Sequence, residues 1–130
     1  MIAIDTSSLS SFLKGEEGQD LCLLEKALAD RQAVFPPVVL TELLSDPKLP
    51  EHVREILRQL PVLLVHEGYW ERAGALRAKV LGADRKAKLA DTLIAQSCLD
   101  HDVPLISRDP DFRNFIETGG LRLLPNPEDR

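Results

Sequence analysis

The chain has 130 residues, is 44% hydrophobic and 28% charged, and carries a formal net charge of −5, which is enough sequence and apolar content for one globular domain with a real core. No apolar run approaches the roughly 18 residues that cross a bilayer, and the N-terminus lacks a basic-then-apolar leader, so no membrane span is expected and the cytoplasm is the expected compartment. The acidic balance argues against a broad, nonspecific nucleic-acid surface, although acids gathered around a cation add to that charge without repelling a phosphate once the cation is bound.

Met1 to Ile4 is apolar throughout and reads as a central parallel strand buried on both faces. Thr6, Ser7 and Ser8 follow as good helix caps before an inner face of Leu9, Phe12 and Leu13. Gly15-Glu-Glu-Gly18 breaks that helix, and Leu21, Leu24, Ala27 and Leu28 mark a second one ending near Asp30. Ala33 to Phe35 is a second strand, and Pro36-Pro37 suits the first turn of a helix from Val38 to Ser45 that carries Glu42 among leucines and valines. Asp46 to Pro50 is a turn; Glu51 to Leu60 is a helix with Val53, Ile56, Leu57 and Leu60 inward, stopped by Pro61. Val62 to Val65 reads as a third strand.

Tyr69 to Leu81 reads as a helix with Trp70, Ala73, Leu76, Arg77 and Val80 at helical spacing and Gly82 as its terminator. A basic connector, Ala83 to Lys88, leads into a helix with Leu89, Leu93, Ile94, Ala95 and Leu99 as apolar positions and Asp91 in its first turn, where a helix favours negative charge. Val103 to Ser107 is a fourth strand, Arg108-Asp-Pro-Asp111 a turn into a short helix with Phe112 and Phe115, and Leu121 to Leu124 a fifth strand. Residues 125–130 read as a frayed tail. Short apolar strands alternating with helices give a single α/β domain over residues 1–130, with a five-stranded, mainly parallel sheet flanked by helices. Cys22 and Cys98 sit far apart in helical apolar patterns and read as buried, reduced thiols; His52, His66 and His101 show no ligand spacing, so zinc is not expected.

In open parallel sheets, ligands bind beyond the carboxyl ends of the strands. Asp5 follows strand one and Asp109 follows strand four, while Glu42 and Asp91 lie on helices that can start at the same edge. Taken singly, each has a plain structural explanation: Asp5 as a helix cap, Glu42 as a solvent-side residue, Asp109 or Asp111 as shapers of an Asp-Pro turn. Together they point to a divalent cation, because clustered carboxylates repel one another and a hard cation relieves that repulsion. Such a cation supplies an activated water and charge stabilisation of the leaving oxygen in phosphodiester hydrolysis.

The segments Ile-Asp5-Thr-Ser-Ser-Leu, Leu-Thr-Glu42-Leu-Leu, Leu-Ala-Asp91-Thr-Leu-Ile-Ala and Leu-Ile-Ser107-Arg-Asp109-Pro-Asp111-Phe resemble, in that order, the motifs of PIN-domain nucleases, and most of all the VapC-type toxins of prokaryotic toxin–antitoxin pairs. The resemblance spans nearly the whole chain. It implies a Mg²⁺- or Mn²⁺-dependent endoribonuclease, usually a homodimer, with a cognate antitoxin protein as partner. Asp5, Asp91 and Asp109 then match the direct metal ligands, with Glu42 acting through water or on the nucleophile and Asp111 an alternative to Asp109. Thr6, Ser7 and Ser107 match the family's hydroxyl positions near the substrate. With so acidic a chain, phosphate contact falls to Arg85, Lys86, Lys88, Arg108 and Arg113, residues that read equally well as ordinary solvated charges. An antitoxin helix would need an apolar groove, for which Leu21, Leu24 and Leu57 are candidates that also suit a plain core. Rival classes fit less well: a dehalogenase-type phosphatase wants an acid where Ser7 stands, and a receiver domain wants paired acids near strand one. A catalytically silent PIN module remains the other reading.

Overall fold

A computed structural model describes residues 1–129. In chain order, β1 (Ile2–Ile4) leads into α1 (Thr6–Leu13) and α2 (Gln19–Ala29); β2 (Ala33–Val34) is followed by α3 (Pro37–Leu44), α4 (Glu51–Gln59), α5 (Tyr69–Gly82) and α6 (Leu89–His101). β3 (Leu105–Ile106) opens into a 3-10 turn at Pro110–Phe115, then α7 (Ile116–Gly119), β4 (Leu123–Leu124) and a last 3-10 turn at Pro127–Asp129. All strand pairings are parallel, in the order β2-β1-β3-β4. The chain therefore steps from β1 to one neighbour and later returns to the other, which makes the β1–β3 boundary the topological switch point. None of the described helices is long and apolar enough to cross a membrane.

The parallel sheet flanked by helices is the architecture the sequence predicts, with four strands in place of five. Val62 to Val65 makes only one bridge, Phe35 to Val62. Its partner strand stops at once because Pro36 and Pro37 have no N–H to continue a ladder. The Phe35 amide donates to Pro61 O at 2.9 Å and the Leu63 amide donates to Phe35 O at 2.8 Å, after which Leu64 and Val65 turn out to solvent.

The core comprises both faces of the strands and the helices packed on them. Ala3, Ile4, Phe35, Leu105, Ile106, Phe112 and Phe115 are fully buried, and Leu21, Leu24 and Leu57 belong to the same cluster. Those three leucines are therefore core rather than a partner groove. Helix α6 is buried nearly all round, through Thr92, Ile94, Ala95, Gln96, Ser97 and Cys98, as befits a helix packed on several sides. Its polar side chains find local partners: Thr92 Oγ1 donates to Lys88 O at 2.8 Å and Gln96 Nε2 donates to Asp100 Oδ1 at 2.8 Å. The apolar face starts at Thr92, one turn later than the sequence pattern indicates, and leaves Leu89 exposed.

Other single positions differ for local reasons. Tyr69, not Trp70, takes the buried place at the start of α5, since its hydroxyl can reach Leu93 O at 2.7 Å; Tyr69, Ala73, Leu76 and Val80 then repeat at helical spacing. Gly82 is the last residue of α5 and Ala83 its C-cap, so the glycine does not end the helix. Ile56 and Leu13 face solvent, and Cys22 is exposed whereas Cys98 is buried. Of the tail, Arg130 lies outside the described residues.

Phe35→Ala should cost about 3–5 kcal/mol by emptying a fully buried site, while Trp70→Ala should change stability by under about 0.5 kcal/mol; urea unfolding of both variants checks the assignment.

Candidate functional site

The site follows from one pairing. Ile4 and Ile106 are register partners at the carboxyl ends of β1 and β3, so the next residues, Asp5 and Ser107, emerge side by side. The Asp5 amide donates to Ile106 O at 3.0 Å, and Ser107 Oγ donates to Asp5 Oδ2 at 2.8 Å. Ser7 Oγ donates to the same oxygen at 2.6 Å, and the Ser7 amide approaches it at 3.4 Å. Asp5 is thus the N-cap of α1, the plain structural role that its place after a strand suggests, while the hydroxyl residues after it lie inside the helix. Burial pushes its carboxyl above the usual range, against the pull of the Ser7 and Ser107 hydrogen bonds.

Ser107 also sets the next acid. Its Oγ accepts from the Asp109 amide at 3.0 Å, and Asp109 Oδ1 accepts from the Asp111 amide at 2.9 Å, capping the 3-10 turn. Phe112 and Phe115 anchor that turn in the core. The third contribution is Asp91, in the first turn of α6. Helix α6 crosses back to begin β3 at its amino end, so α6 itself starts at the sheet's carboxyl edge.

Asp91, Asp109 and Asp111 each offer a carboxylate oxygen within 4.8 Å of the other two. Asp91 Oδ2 is buried with no hydrogen-bond partner, which is costly for an acceptor of this kind. Burial first, then the charges of Asp109 and Asp5, push the Asp91 carboxyl up to about 6, with Lys88 pulling weakly the other way. Lys86 Nζ and Lys88 Nζ both lie 3.3 Å from Asp111 Oδ2; Lys88 and then Lys86 hold that carboxyl below its usual range.

The remaining candidates are distributed around this trio. Glu42 is exposed on α3 and lies outside it, tied to the site through Thr6 Oγ1, which donates to Glu42 Oε1 at 2.8 Å. Arg85 pairs with Glu117 at 3.0 Å and Arg113 is exposed. Arg108 turns to the opposite side: Nε and Nη2 donate to the two Asp20 oxygens at 2.8 and 2.9 Å, Nη1 to Glu16 Oε2 at 3.1 Å, and Nη2 to Glu17 O at 3.1 Å. Asp20 is buried and also accepts from Ser8 Oγ at 2.8 Å. Burial alone would raise its carboxyl, but the Arg108 and Ser8 hydrogen bonds and the Arg108 charge outweigh it and hold the group low. Sequence reasoning missed this pair, yet a signal was there: Asp20 shares the inward stripe of Leu24 and Ala27 at helical spacing, and an acid on such a stripe needs a buried cationic partner.

An all-oxygen donor set, an unpartnered buried carboxylate oxygen and a carboxyl pushed up by burial and by its acidic neighbours fit a hard divalent cation of the Mg²⁺ or Mn²⁺ kind. Asp91, Asp109 and Asp111 are close enough together that they could hold such an ion, with the charge of Asp5 near enough to act on Asp91.

Because the folded Asp91 carboxyl is raised from 3.8 to about 6, its contribution to metal-free stability is fully present below pH 3.8 and is lost as pH rises through about 6. Thermal melts of metal-free protein should show Asp91→Asn gaining on the wild type as pH rises from 4 to 7. Added Mn²⁺ should raise the wild-type melting temperature at pH 7.5 and much less at pH 5, where protons occupy Asp91.

The family model of the PIN domain matches residues 2–117. No curated protein matches the chain. Among solved structures, the fold is similar to that of FitAB bound to an IR36 DNA fragment, with a TM-score of 0.75 at 17% identity over 95% of this chain and 94% of that one. It is also similar to FitAcB from Neisseria gonorrhoeae, with a TM-score of 0.69 at 15% identity over 95% and 96%. With the family model covering almost all of the folded chain and the whole architecture shared, this protein belongs to the PIN domain family.

Proposed function

We propose that the chain is a metal-dependent endoribonuclease acting as the toxin of a toxin–antitoxin pair. The observation that carries the reading is the convergence of Asp91, Asp109 and Asp111 at the sheet's switch point, with Asp91 Oδ2 buried and unpartnered. A Mg²⁺ or Mn²⁺ ion bound there supplies an activated water and stabilises charge on the leaving oxygen. Asp91, Asp109 and Asp111 hold the ion; Asp5, locked by Ser7 and Ser107, adds negative charge from behind and fixes the spacing of the two strand ends. Glu42, steadied by Thr6, is assigned to the attacking water and takes its proton. In the hydrolysis a water oxygen bonds to phosphorus, one ester P–O bond breaks, and the leaving oxygen gains a proton.

Substrate contact falls to few cations. Lys86 and Lys88 lie beside the acids, and a phosphodiester arriving there exchanges with Asp111 for their ammonium groups. Arg108 has four of its five N–H donors committed to Asp20, Glu16 and Glu17 O, which leaves it little to offer a phosphate. RNA as substrate, a cognate antitoxin and a homodimeric, cytoplasmic protein complete the reading, supported by the motif resemblance to VapC-type toxins. FitAB, of similar fold, is bound to a DNA fragment in its structure, so single-stranded DNA belongs among the substrates tried.

A panel of structured RNAs and single-stranded DNA incubated with Mn²⁺ or Mg²⁺ should show RNA cleavage that EDTA abolishes. Asp91→Asn and Asp109→Asn should each remove it by at least about 100-fold while the circular dichroism spectrum is kept. Unchanged cleavage by Asp91→Asn would end the nuclease reading, and a folded wild type that cuts nothing would favour a silent interaction module. RNA binding by Asp91→Asn should fall only gently with salt, with a log–log slope of about −1.4 for two phosphate contacts at ~0.7 each.

A further inference from the structure

The geometry points to Arg108 as a positioning residue: clamped by Asp20, it holds the Ser107–Asp111 turn, and with it the Asp109 carboxylate, in place for metal binding. The inference borrows the metal site from the function proposed above, but its first readout does not depend on it.

Asp109 is fixed through its backbone. Its amide rests on Ser107 Oγ and its Oδ1 is spent on the Asp111 amide, so the direction of the carboxylate is set by the pitch of the turn. Two struts define that pitch. One is Ser107, bonded to Asp5 at the end of β1. The other leaves from the opposite side of the same backbone, as Arg108 forks onto Asp20 at the start of α2 and adds Glu16 and Glu17 O from the α1–α2 connection. A planar fork fixes orientation as well as distance, which a single contact does not.

The anchor at the far end is itself rigid. The side chain of Asp20 is 7% exposed, and the fully buried Ser8 donates to it from α1, the helix that Asp5 caps. The hydrogen bonds thus close a ring: Asp5 to Ser107, Ser107 along the chain to Arg108, Arg108 to Asp20, Asp20 to Ser8, and back through α1 to Asp5. Gly18 seals it. A Cβ there would stand 2.6 Å from Asp20 Oδ1 and 2.8 Å from Arg108 Nη2, and its φ of +155° is one that side chains rarely adopt. The backbone at Gly18 can close over the ion pair only because no side chain is present.

Amide hydrogen exchange and Mn²⁺ titration of Arg108→Gln, Asp20→Asn, Arg108→Lys and Gly18→Ala test this. In Arg108→Gln and Asp20→Asn the Asp109 and Asp111 amides should lose protection while those of α6 keep theirs, and Mn²⁺ affinity should weaken by roughly 10-fold. Gly18→Ala, which alters no charge, should move both readouts the same way, and Arg108→Lys should fall between Arg108→Gln and the wild type. In cleavage assays Arg108→Gln should lower kcat with little change in KM. Unchanged protection of the two amides in Arg108→Gln would overturn the inference even if the protein proved to be no nuclease. Raised KM and a smaller salt slope, with kcat and Mn²⁺ affinity intact, would equally overturn it by making Arg108 a phosphate contact.

Discussion

Everything at the site depends on the register of β1 against β3. The side-chain direction alternates along a strand, so a slip of one residue would turn Asp5 into the core and Ile4 toward the site. With Ile4 opposite Ile106, the two strands end together and release Asp5 and Ser107 as neighbours. The register is held by burial more than by length, for β3 has only two residues in the ladder. Ala3, Ile4, Leu105 and Ile106 are all fully excluded from water, and misplacing any one of them would expose apolar surface or bury a carboxylate without partners.

That rigidity is what lets the protein assemble a locally unfavourable feature. Three carboxylates within 4.8 Å, a fourth close behind, and an acceptor oxygen with nothing to accept from all work against folding in the absence of a cation. The surrounding structure offsets this cost. Asp5 is met by two hydroxyls, Asp111 by two ammonium groups, and Asp109 by a backbone amide from its own turn. Among the described residues, Asp91 alone has a buried side-chain oxygen without a hydrogen-bond partner, and it sits on α6, a helix buried on nearly every side. Strain left at a site by an over-determined scaffold is a recurring mark of function.

Much of this was legible from residue order. Strand ends could be located by short apolar runs, and parallel topology then sends Asp5 and Asp109 to one edge; a first-turn acid on a strongly apolar helix singles out Asp91. What could not be read was anything decided by side-chain reach. Asp109 and Asp111 share one turn and both join the trio, so spacing alone does not choose between them. Arg108 looks like a phosphate contact because it adjoins the site in sequence, yet its long side chain carries its charge to Asp20, remote along the chain. Val62 to Val65 has strand composition and still pairs only at Val62, because its neighbour is cut short by two prolines. Trp70 and Tyr69 are adjacent, and the choice of which to bury was settled by a carbonyl on α6 that no local pattern reveals.

The convergence of acids on a cation is open to a direct measurement: substoichiometric Mn²⁺ added to ¹⁵N-labelled protein at neutral pH, read as paramagnetic broadening of backbone amides. Ion binding between α6 and the turn after β3 would erase the signals around Asp91 and from Ser107 to Asp111 first, with Asp5 and Ser7 next and α4 spared. Broadening that begins elsewhere, or that spreads evenly over the acidic surface, would contradict it.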